Sequence, residues 1–137
     1  MSETTTRTEK LSRFWEAMPF NAKCHIQVRS WEEEKVVLAA AYAEDQTNGH
    51  GTLHGGVIGT LADTAATAVV MAGRERGDKR TPLTTAMTVH YLGAARSTVI
   101  ATATVSRRGG STSFVDVAVV DAEGAPVATA MICIVMK

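Results

Sequence analysis

This sequence of 137 residues contains few cysteines and few prolines, and it has no net charge. Its two cysteines, Cys24 and Cys133, are far apart and form no C-x-x-C pair. This excludes a disulfide framework and a cysteine-rich metal site, so we expect reduced thiols in a cytoplasmic protein. Fourteen basic residues balance fourteen acidic ones. The zero net charge argues against a general affinity for nucleic acid or for an anionic membrane, and neither is expected as a partner.

The N-terminus is polar and lacks the apolar run of a signal peptide. The length predicts one domain, residues 20–137, preceded by a tail and a short helix in residues 1–19. Residues 1–8 are expected to fray. Apolar side chains at helical spacing then predict a helix over residues 8–18, which Pro19 ends; they are Leu11, Phe14, Trp15 and Met18.

The chain is organised around residues 48–73, where a glycine-rich loop leads directly into a long apolar segment. A helix from Gly55 to Ala72 would be apolar nearly all round and would therefore be buried. Its only charge is Asp63, which is costly to bury without a partner or a function. Alanine, glycine and threonine dominate the segment, so a membrane span is disfavoured. The glycines at its start leave backbone N–H groups open to a negatively charged group.

Six further segments are rich in β-branched and apolar residues and predict strands. The first two form a hairpin around residues 31–34, and the last four follow Pro82; the segments are residues 24–30, 35–42, 84–92, 98–107, 112–121 and 126–135. One strongly curved sheet of about six strands around a single central helix makes an α+β domain. Such a sheet covers only one side of the helix, so a second subunit is expected to cover the other side.

The order of elements and the central motif carry a family resemblance. From residue 20 onward the chain looks like the hotdog fold. The pattern Asn48-x6-Gly55-Gly56-x6-Asp63, with His54 before the glycines, resembles the phenylacetate-pathway (PaaI-type) acyl-CoA thioesterases. The resemblance implies hydrolysis of an acyl-coenzyme A thioester without metal or cofactor. It also implies a homodimer, or a homotetramer built from dimers, with active sites at the dimer interface.

The resemblance also assigns roles to individual residues. It makes Asp63 the catalytic carboxylate, as general base or nucleophile, and Gly55 the backbone N–H donor to the thioester oxygen. Asn48 would position the reacting water or carbonyl. Thr84 occupies the place where relatives have a Ser or Thr near the carboxylate, and His54 would shape the loop or act directly. Gly56 lacks a side chain, so a substrate can approach the backbone there.

Helix geometry supports a composite site. Asp63 lies eight positions after Gly55, roughly 12 Å along a helix at about 1.5 Å per residue. It cannot reach an acyl carbon held at the N-terminus of its own helix. Two such helices lying antiparallel across a two-fold axis would bring Asp63 of one copy to Gly55 of the other.

Each of these residues also has a purely structural interpretation. Asp63 could satisfy hydrogen-bond donors at the dimer seam, Gly56 could serve close packing, and Asn48 could stabilise a turn. His54 could donate a structural hydrogen bond, and Thr84 could be an ordinary strand residue. His50 and His54 have the spacing of zinc ligands on a helix, but the glycines between them argue against a helix there. His25 and His90 are expected to be strand residues without a catalytic role.

Two basic clusters are candidates for the coenzyme A phosphates. The first is the strand connection Arg107-Arg108-Gly109-Gly110. The second follows the central helix and contains Arg74, Arg76, Lys79 and Arg80. Aromatic and sulfur side chains near the N-terminus are expected to line or cover the acyl pocket; they are Phe14, Trp15, Met18 and Phe20.

The acyl group itself stays open between an aromatic, phenylacetyl-like group and a medium-chain aliphatic one. Two other functions are kept as alternatives. A hotdog hydratase or dehydratase would need a His and acid pair at the α and β carbons of an enoyl thioester. A non-catalytic acyl-CoA sensor or scaffold would keep the pocket without needing Asp63.

Overall fold

The computed structural model describes residues 3–137 of the chain, and the side chains from residue 7 onward. Two N-terminal helices precede a six-stranded sheet that wraps around one long helix. The helices are α1 (Glu3–Ala17), α2 (Pro19–Lys23) and α3 (Gly55–Ala72), with a short 3₁₀ turn at Glu44–Gln46. The strands are β1 (Ile26–Trp31), β2 (Lys35–Ala40), β3 (Pro82–Tyr91), β4 (Val99–Arg108), β5 (Thr112–Val120) and β6 (Pro126–Met136).

The strands form one antiparallel sheet in the order β1-β2-β4-β5-β6-β3. The predicted α+β architecture, with six strands around one central helix, is therefore confirmed, as is the β1–β2 hairpin. The edges of the sheet are β1 and β3. The inward faces of the central strands and one side of α3 form the hydrophobic core, with fully buried residues such as Leu38, Leu61, Val69 and Ile132.

Central helix α3 has the bounds that the sequence predicts, and Gly73 caps its C-terminus. Within the described residues, α3 alone is long and apolar enough to cross a membrane by those two criteria, and here it is the core helix of the domain. Its side facing away from the sheet is only half-buried, as at Thr60, Asp63 and Thr67. The second subunit expected to cover that side stays a prediction.

The N-terminal region differs from the prediction in three respects. Helix α1 begins at Glu3, so residues 3–7 are helical and not frayed, while residues 1–2 lie outside the described part. Pro19 ends α1 but also begins α2, because proline suits the first turn of a helix. Strand β1 begins at Ile26, because Cys24 caps α2 and His25 has a φ of 55° that interrupts an extended chain. His25 is thus a turn residue, whereas His90 lies in β3 as predicted.

Strand β3 contains a bulge that decides which of its side chains face α3. Thr84 pairs with Ile134 and Ala86 pairs with Cys133, so Thr85 is an extra residue. From Thr84 to Tyr91 the strand advances seven residues, while β6 advances only six, from Ile134 to Ala128. Side chains alternate along a regular strand, so the bulge places both Thr84 and Tyr91 on the inward face.

Candidate active site

Asp63 and Thr84 meet between the central helix and the edge strand. The Thr84 hydroxyl donates a 2.6 Å hydrogen bond to Oδ1 of Asp63, and both residues are half-buried. The bulge at Thr85 turns Thr84 toward α3, so this contact depends on the irregular strand. A hydrogen bond to a carboxylate is charge-assisted and stronger than a neutral one. The predicted proximity of Thr84 to the carboxylate is therefore observed.

Asp63 lines a cavity of about 500 Å³ between α1, α3 and the start of β3. Aromatic and sulfur side chains form much of the wall, with Phe14, Trp15 and Met18 on the α1 side and Met71 on α3. Three of the four residues predicted to line the acyl pocket thus line the same cavity as the Asp63 carboxylate. Phe20 is not among the lining residues; it lies in the separate short helix α2 and is 61% exposed.

The N-terminus of α3 presents one backbone donor. Among the described residues, none accepts a hydrogen bond from the Gly55 N–H. The Gly56 N–H donates to Nδ1 of His54 at 2.8 Å, so His54 caps the helix by accepting a bond, where donation was expected. A Cβ on Gly56 would lie 2.9 Å from that nitrogen, so Gly56 serves close packing and its N–H is occupied. This matches the close-packing interpretation of Gly56, and its role in substrate binding stays a prediction.

Tyr91 covers the same helix end and is a residue that the sequence argument missed. Its hydroxyl donates to the Gly55 carbonyl at 2.7 Å, and its ring lies where a Cβ on Gly55 would make contact at 3.4 Å. Regular alternation would put Tyr91 and Thr84 on opposite faces of the strand. The only sequence signal for Tyr91 was an aromatic residue at the end of a predicted strand, and the bulge could not be read.

Asn48 shapes the glycine-rich loop. Its side-chain oxygen accepts a hydrogen bond from the His50 N–H at 3.0 Å, and its own N–H donates to the Thr52 carbonyl at 2.9 Å. These contacts match the turn-stabilising interpretation, and its position relative to a substrate stays a prediction. No group of three His, Cys, Asp or Glu residues able to hold a metal occurs in the part of the chain described.

The two predicted basic clusters line one cavity of about 310 Å³. Arg74 and Arg80 from the loop after α3 meet Arg108, Gly109 and Gly110 from the β4–β5 connection. Arg80 is paired with Asp78 at 2.8 Å, and this hydrogen-bonded guanidinium lowers the pKa of Asp78 to about 2. Gly109 and Gly110 hold the turn, through a Gly109 N–H bond to Thr112 and an Arg80 bond to the Gly110 carbonyl.

Arg108 has a structural role that its prediction as a phosphate ligand did not include. Its guanidinium donates to the carbonyls of Val69 and Val70 at the end of α3, at 3.3 and 3.1 Å, and lies 3.4 Å from a Glu34 oxygen. A cation there complements the negative end of the helix dipole. Arg107 is exposed and makes no hydrogen bond or ion pair with the described residues, so it is the arginine of this connection that remains available.

Sequence and structure comparisons place the chain among known proteins. Residues 50–128 of this chain match the family described as the thioesterase superfamily. A Halobacterium salinarum protein that carries the name of an esterase is 32% identical over 98 residues, which are 69% of this chain and 65% of the relative. The match thus spans slightly less than two thirds of that relative's length.

Two solved structures share the fold. The Escherichia coli PaaI protein from the phenylacetic acid degradation operon has a TM-score of 0.83 and 22% identity, covering 96% of this chain and 92% of its own. A Streptococcus pneumoniae protein described as a hypothetical thioesterase, solved with coenzyme A, has a TM-score of 0.73 and 21% identity, covering 82% and 85%. These similarities confirm the hotdog fold. Because the family match spans more than half of the sequence, the chain belongs to the thioesterase superfamily.

Proposed function

We propose that this protein hydrolyses the thioester of an acyl-coenzyme A to a free acid and coenzyme A. One observation carries the proposal: Asp63, a carboxylate on the core helix, accepts a short hydrogen bond from Thr84 and lines a cavity of about 500 Å³. Membership of the thioesterase superfamily and the coenzyme A bound to the Streptococcus pneumoniae protein of the same fold support it.

The chemistry follows from two positions on α3, its N-terminus at Gly55 and Asp63 in its middle. Attack on the thioester carbon moves negative charge onto the carbonyl oxygen, and a backbone N–H at a helix N-terminus is a preorganised donor for that charge. The Gly55 N–H has this position. Asp63 acts as a base that takes a proton from the attacking water, or as a nucleophile that forms an anhydride. In the first route the C–S bond breaks after water has attacked, and Asp63 passes its proton to the leaving thiolate. In the second route the C–S bond breaks as the anhydride forms; a water molecule then hydrolyses the anhydride, which releases the free acid, restores the Asp63 carboxylate and supplies the proton that the thiolate takes up. Neither route needs a metal ion or an organic cofactor.

Thr84 determines which carboxylate oxygen can react. Its hydroxyl occupies Oδ1 of Asp63, so Oδ2 is the oxygen available to water or to the acyl carbon. The hydroxyl also fixes the orientation of the carboxylate. Holding a catalytic group in the reactive geometry removes an entropic part of the barrier. We therefore assign Thr84 as a positioning residue of the hydrolysis.

A complete site requires a second copy of the chain. Gly55 and Asp63 are on the same helix, roughly 12 Å apart at about 1.5 Å per residue, so one thioester cannot contact both within a chain. The edge strand β3 exposes Met87 and Tyr91 beside the half-buried side of α3. An apolar strand edge next to a helix face that is only half-buried favours burial by a partner. We propose a homodimer with two composite sites, and a homotetramer of such dimers.

The nucleotide end of coenzyme A is assigned to the cavity shared by the two basic clusters. Arg74 is half-buried and lines both this cavity and the one at Asp63, so the two are neighbours. Arg107, near the end of β4, adds an exposed guanidinium close to this cavity in sequence, although it is not one of the residues that line it. Arginine binds phosphate through paired hydrogen bonds. We propose Arg74 and Arg107 as the phosphate ligands, since Arg80 and Arg108 are engaged within the chain.

The acyl group occupies the cavity beside Asp63. Its wall includes Phe14, Trp15, Met18 and Met71, and its volume of about 500 Å³ accommodates a phenyl ring or a medium aliphatic chain. Aromatic side chains stack favourably on an aromatic ring, in addition to burying it. We propose a phenylacetyl-like acyl group as the preferred substrate and a medium-chain acyl group as the competing one.

A thiol-release assay over a panel of aromatic and aliphatic acyl-coenzyme A esters tests the activity. Asp63→Asn keeps the size of the side chain and should lower kcat by about 100-fold or more, equivalent to about 2.7 kcal/mol. The matched control is Asp116→Asn, an exposed carboxylate on the outer face of β5, which should leave kcat unchanged. Binding of the esters without thiol release by the wild type would favour a sensor. A loss below about tenfold in Asp63→Asn would reject a direct catalytic role for Asp63.

Mixing two inactive variants tests the composite site. One homodimer carries Asp63→Asn and the other carries Gly55→Pro, which lacks the N–H donor. If each site takes Asp63 from one copy and Gly55 from the other, reassorted heterodimers contain one intact site. Random exchange should then restore about one quarter of wild-type activity. No recovery after demonstrated subunit exchange would reject the shared site.

A further inference from the structure

We propose that Tyr91 is a positioning residue for the helix end that holds the thioester oxygen, an inference that rests on the proposed hydrolysis. Two hydrogen bonds meet on the single peptide unit between Gly55 and Gly56. The Tyr91 hydroxyl donates to its carbonyl at 2.7 Å. Its N–H, which belongs to Gly56, donates to Nδ1 of His54 at 2.8 Å. The three groups form a continuous relay from the phenol through the peptide to the imidazole.

Such a relay is cooperative. A donor at the carbonyl of a peptide polarises it and strengthens the hydrogen bond made by its N–H. Tyr91 thereby strengthens the hydrogen bond from the Gly56 N–H to His54, although its own hydroxyl is bonded to the Gly55 carbonyl. Since Nδ1 accepts, a neutral His54 carries its proton on Nε2. The phenol therefore sets the orientation of the imidazole and of the peptide directly after the Gly55 N–H.

The composition of the helix start explains why such a constraint is needed. Gly55, Gly56 and Gly59 all lie in the first five residues of α3. Glycine loses more conformational freedom on folding than any other residue, so this turn is intrinsically weak. The same glycines make room for the ring: a Cβ on Gly55 would lie 3.4 Å from it, and a Cβ on Gly59 would lie 3.2 Å from the hydroxyl. The glycines keep the backbone accessible, and Tyr91 restores its rigidity.

Burial in the hydrophobic core does not account for the position of Tyr91. It is 54% exposed, and its hydroxyl is bonded to the backbone of the proposed site. In the proposed dimer the exposed part of the ring lies at the end of β3, next to the Gly55 N–H and therefore next to the partner copy.

Tyr91→Phe tests the inference, because it removes the hydroxyl and keeps the ring. The chain's only other tyrosine offers a matched control: Tyr42 also donates to a backbone carbonyl, that of Gly51, at 2.8 Å in the preceding loop. We expect Tyr91→Phe to lower kcat about fivefold or more, the effect of one neutral hydrogen bond, with KM changed less than about twofold. Tyr42→Phe should change kcat by less than about twofold.

Amide hydrogen exchange at Gly56 provides a readout that does not depend on activity. Exchange should be faster in Tyr91→Phe than in the wild type, and unchanged in Tyr42→Phe. Unchanged Gly56 exchange, or an equal loss of kcat in both variants, would overturn the relay. If the wild type hydrolyses no acyl-coenzyme A, the proposed function fails, whereas the Gly56 comparison still decides whether the relay exists.

Gly59→Ala provides a second, independent variant. It keeps both tyrosines but places a methyl group 3.2 Å from the phenol oxygen, so the side chain must shift. Alanine also favours the helix more than glycine does. A lower kcat with faster Gly56 exchange, in a variant that unfolds no more easily than the wild type, supports a positioning role. Wild-type kcat and Gly56 exchange would contradict it.

Discussion

Replacing Gly55 with proline deletes the proposed oxyanion donor at the one helical position where proline is well tolerated. Gly55 is the first residue of α3, and its N–H has no acceptor among the described residues. The preceding residue, His54, has φ −59° and ψ 134°, a conformation that suits a residue before proline. The helix should therefore still form, while the donor is lost.

The magnitude follows from the role assigned to the donor. Removing one preorganised oxyanion donor lowers kcat by about 10²- to 10³-fold in enzymes that use one, or about 2.7–4 kcal/mol. Gly55→Ala is the matched control because it keeps the N–H, and its Cβ would lie at an ordinary contact distance of 3.4 Å from Tyr91. We expect Gly55→Ala to retain kcat within about tenfold of the wild type.

The assay is steady-state thiol release, with thermal unfolding measured on the same preparations. A Gly55→Pro enzyme that unfolds like the wild type and keeps kcat within about tenfold would refute the assignment of this N–H. An equal loss of kcat in Gly55→Ala and Gly55→Pro would refute it as well, because the common change would then be the added carbon atoms and not the missing donor.

Three further predictions concern single contacts. Thr84→Val removes the charge-assisted hydrogen bond to Asp63 and should lower kcat by about tenfold or more. Thr85→Val, at the neighbouring bulge, should not lower kcat in this way. Single-turnover kinetics of the two variants test the difference. Arg107→Gln should raise KM for an acyl-coenzyme A but not for the acyl-pantetheine thioester, which lacks the nucleotide phosphates. The Asp78 carboxyl should titrate by NMR near its lowered pKa of about 2. The stability contributed by the Asp78–Arg80 ion pair is then present above pH 3.8 and lost as the pH falls toward 2. Arg80→Gln should return the titration midpoint of Asp78 toward 3.8.

Local composition is sufficient to predict the central helix but not its partners. A glycine pair at one end and Gly73 at the other delimit an apolar segment, so the bounds of α3 could be read directly. The Asp63–Thr84 contact also followed from the resemblance. The contact of Arg108 with α3 was missed, because a basic residue in a predicted strand connection gives no indication that it will reach the carbonyl end of a distant helix. Such tertiary contacts override local pattern.

The irregular edge strand contacts α3 at both functional positions, Asp63 in the middle of the helix and Gly55 at its N-terminus. With the extra residue at Thr85, both Thr84 and Tyr91 face the helix, the first at the carboxylate and the second at the N-terminal donor. A regular strand could have served only one of them. In a two-fold dimer each site takes the Thr84 end from one copy and the Tyr91 end from the other. The bulge therefore supports both halves of the proposed site. The family resemblance pointed to Thr84, whereas regular strand alternation gave no reason to place Tyr91 on the same face.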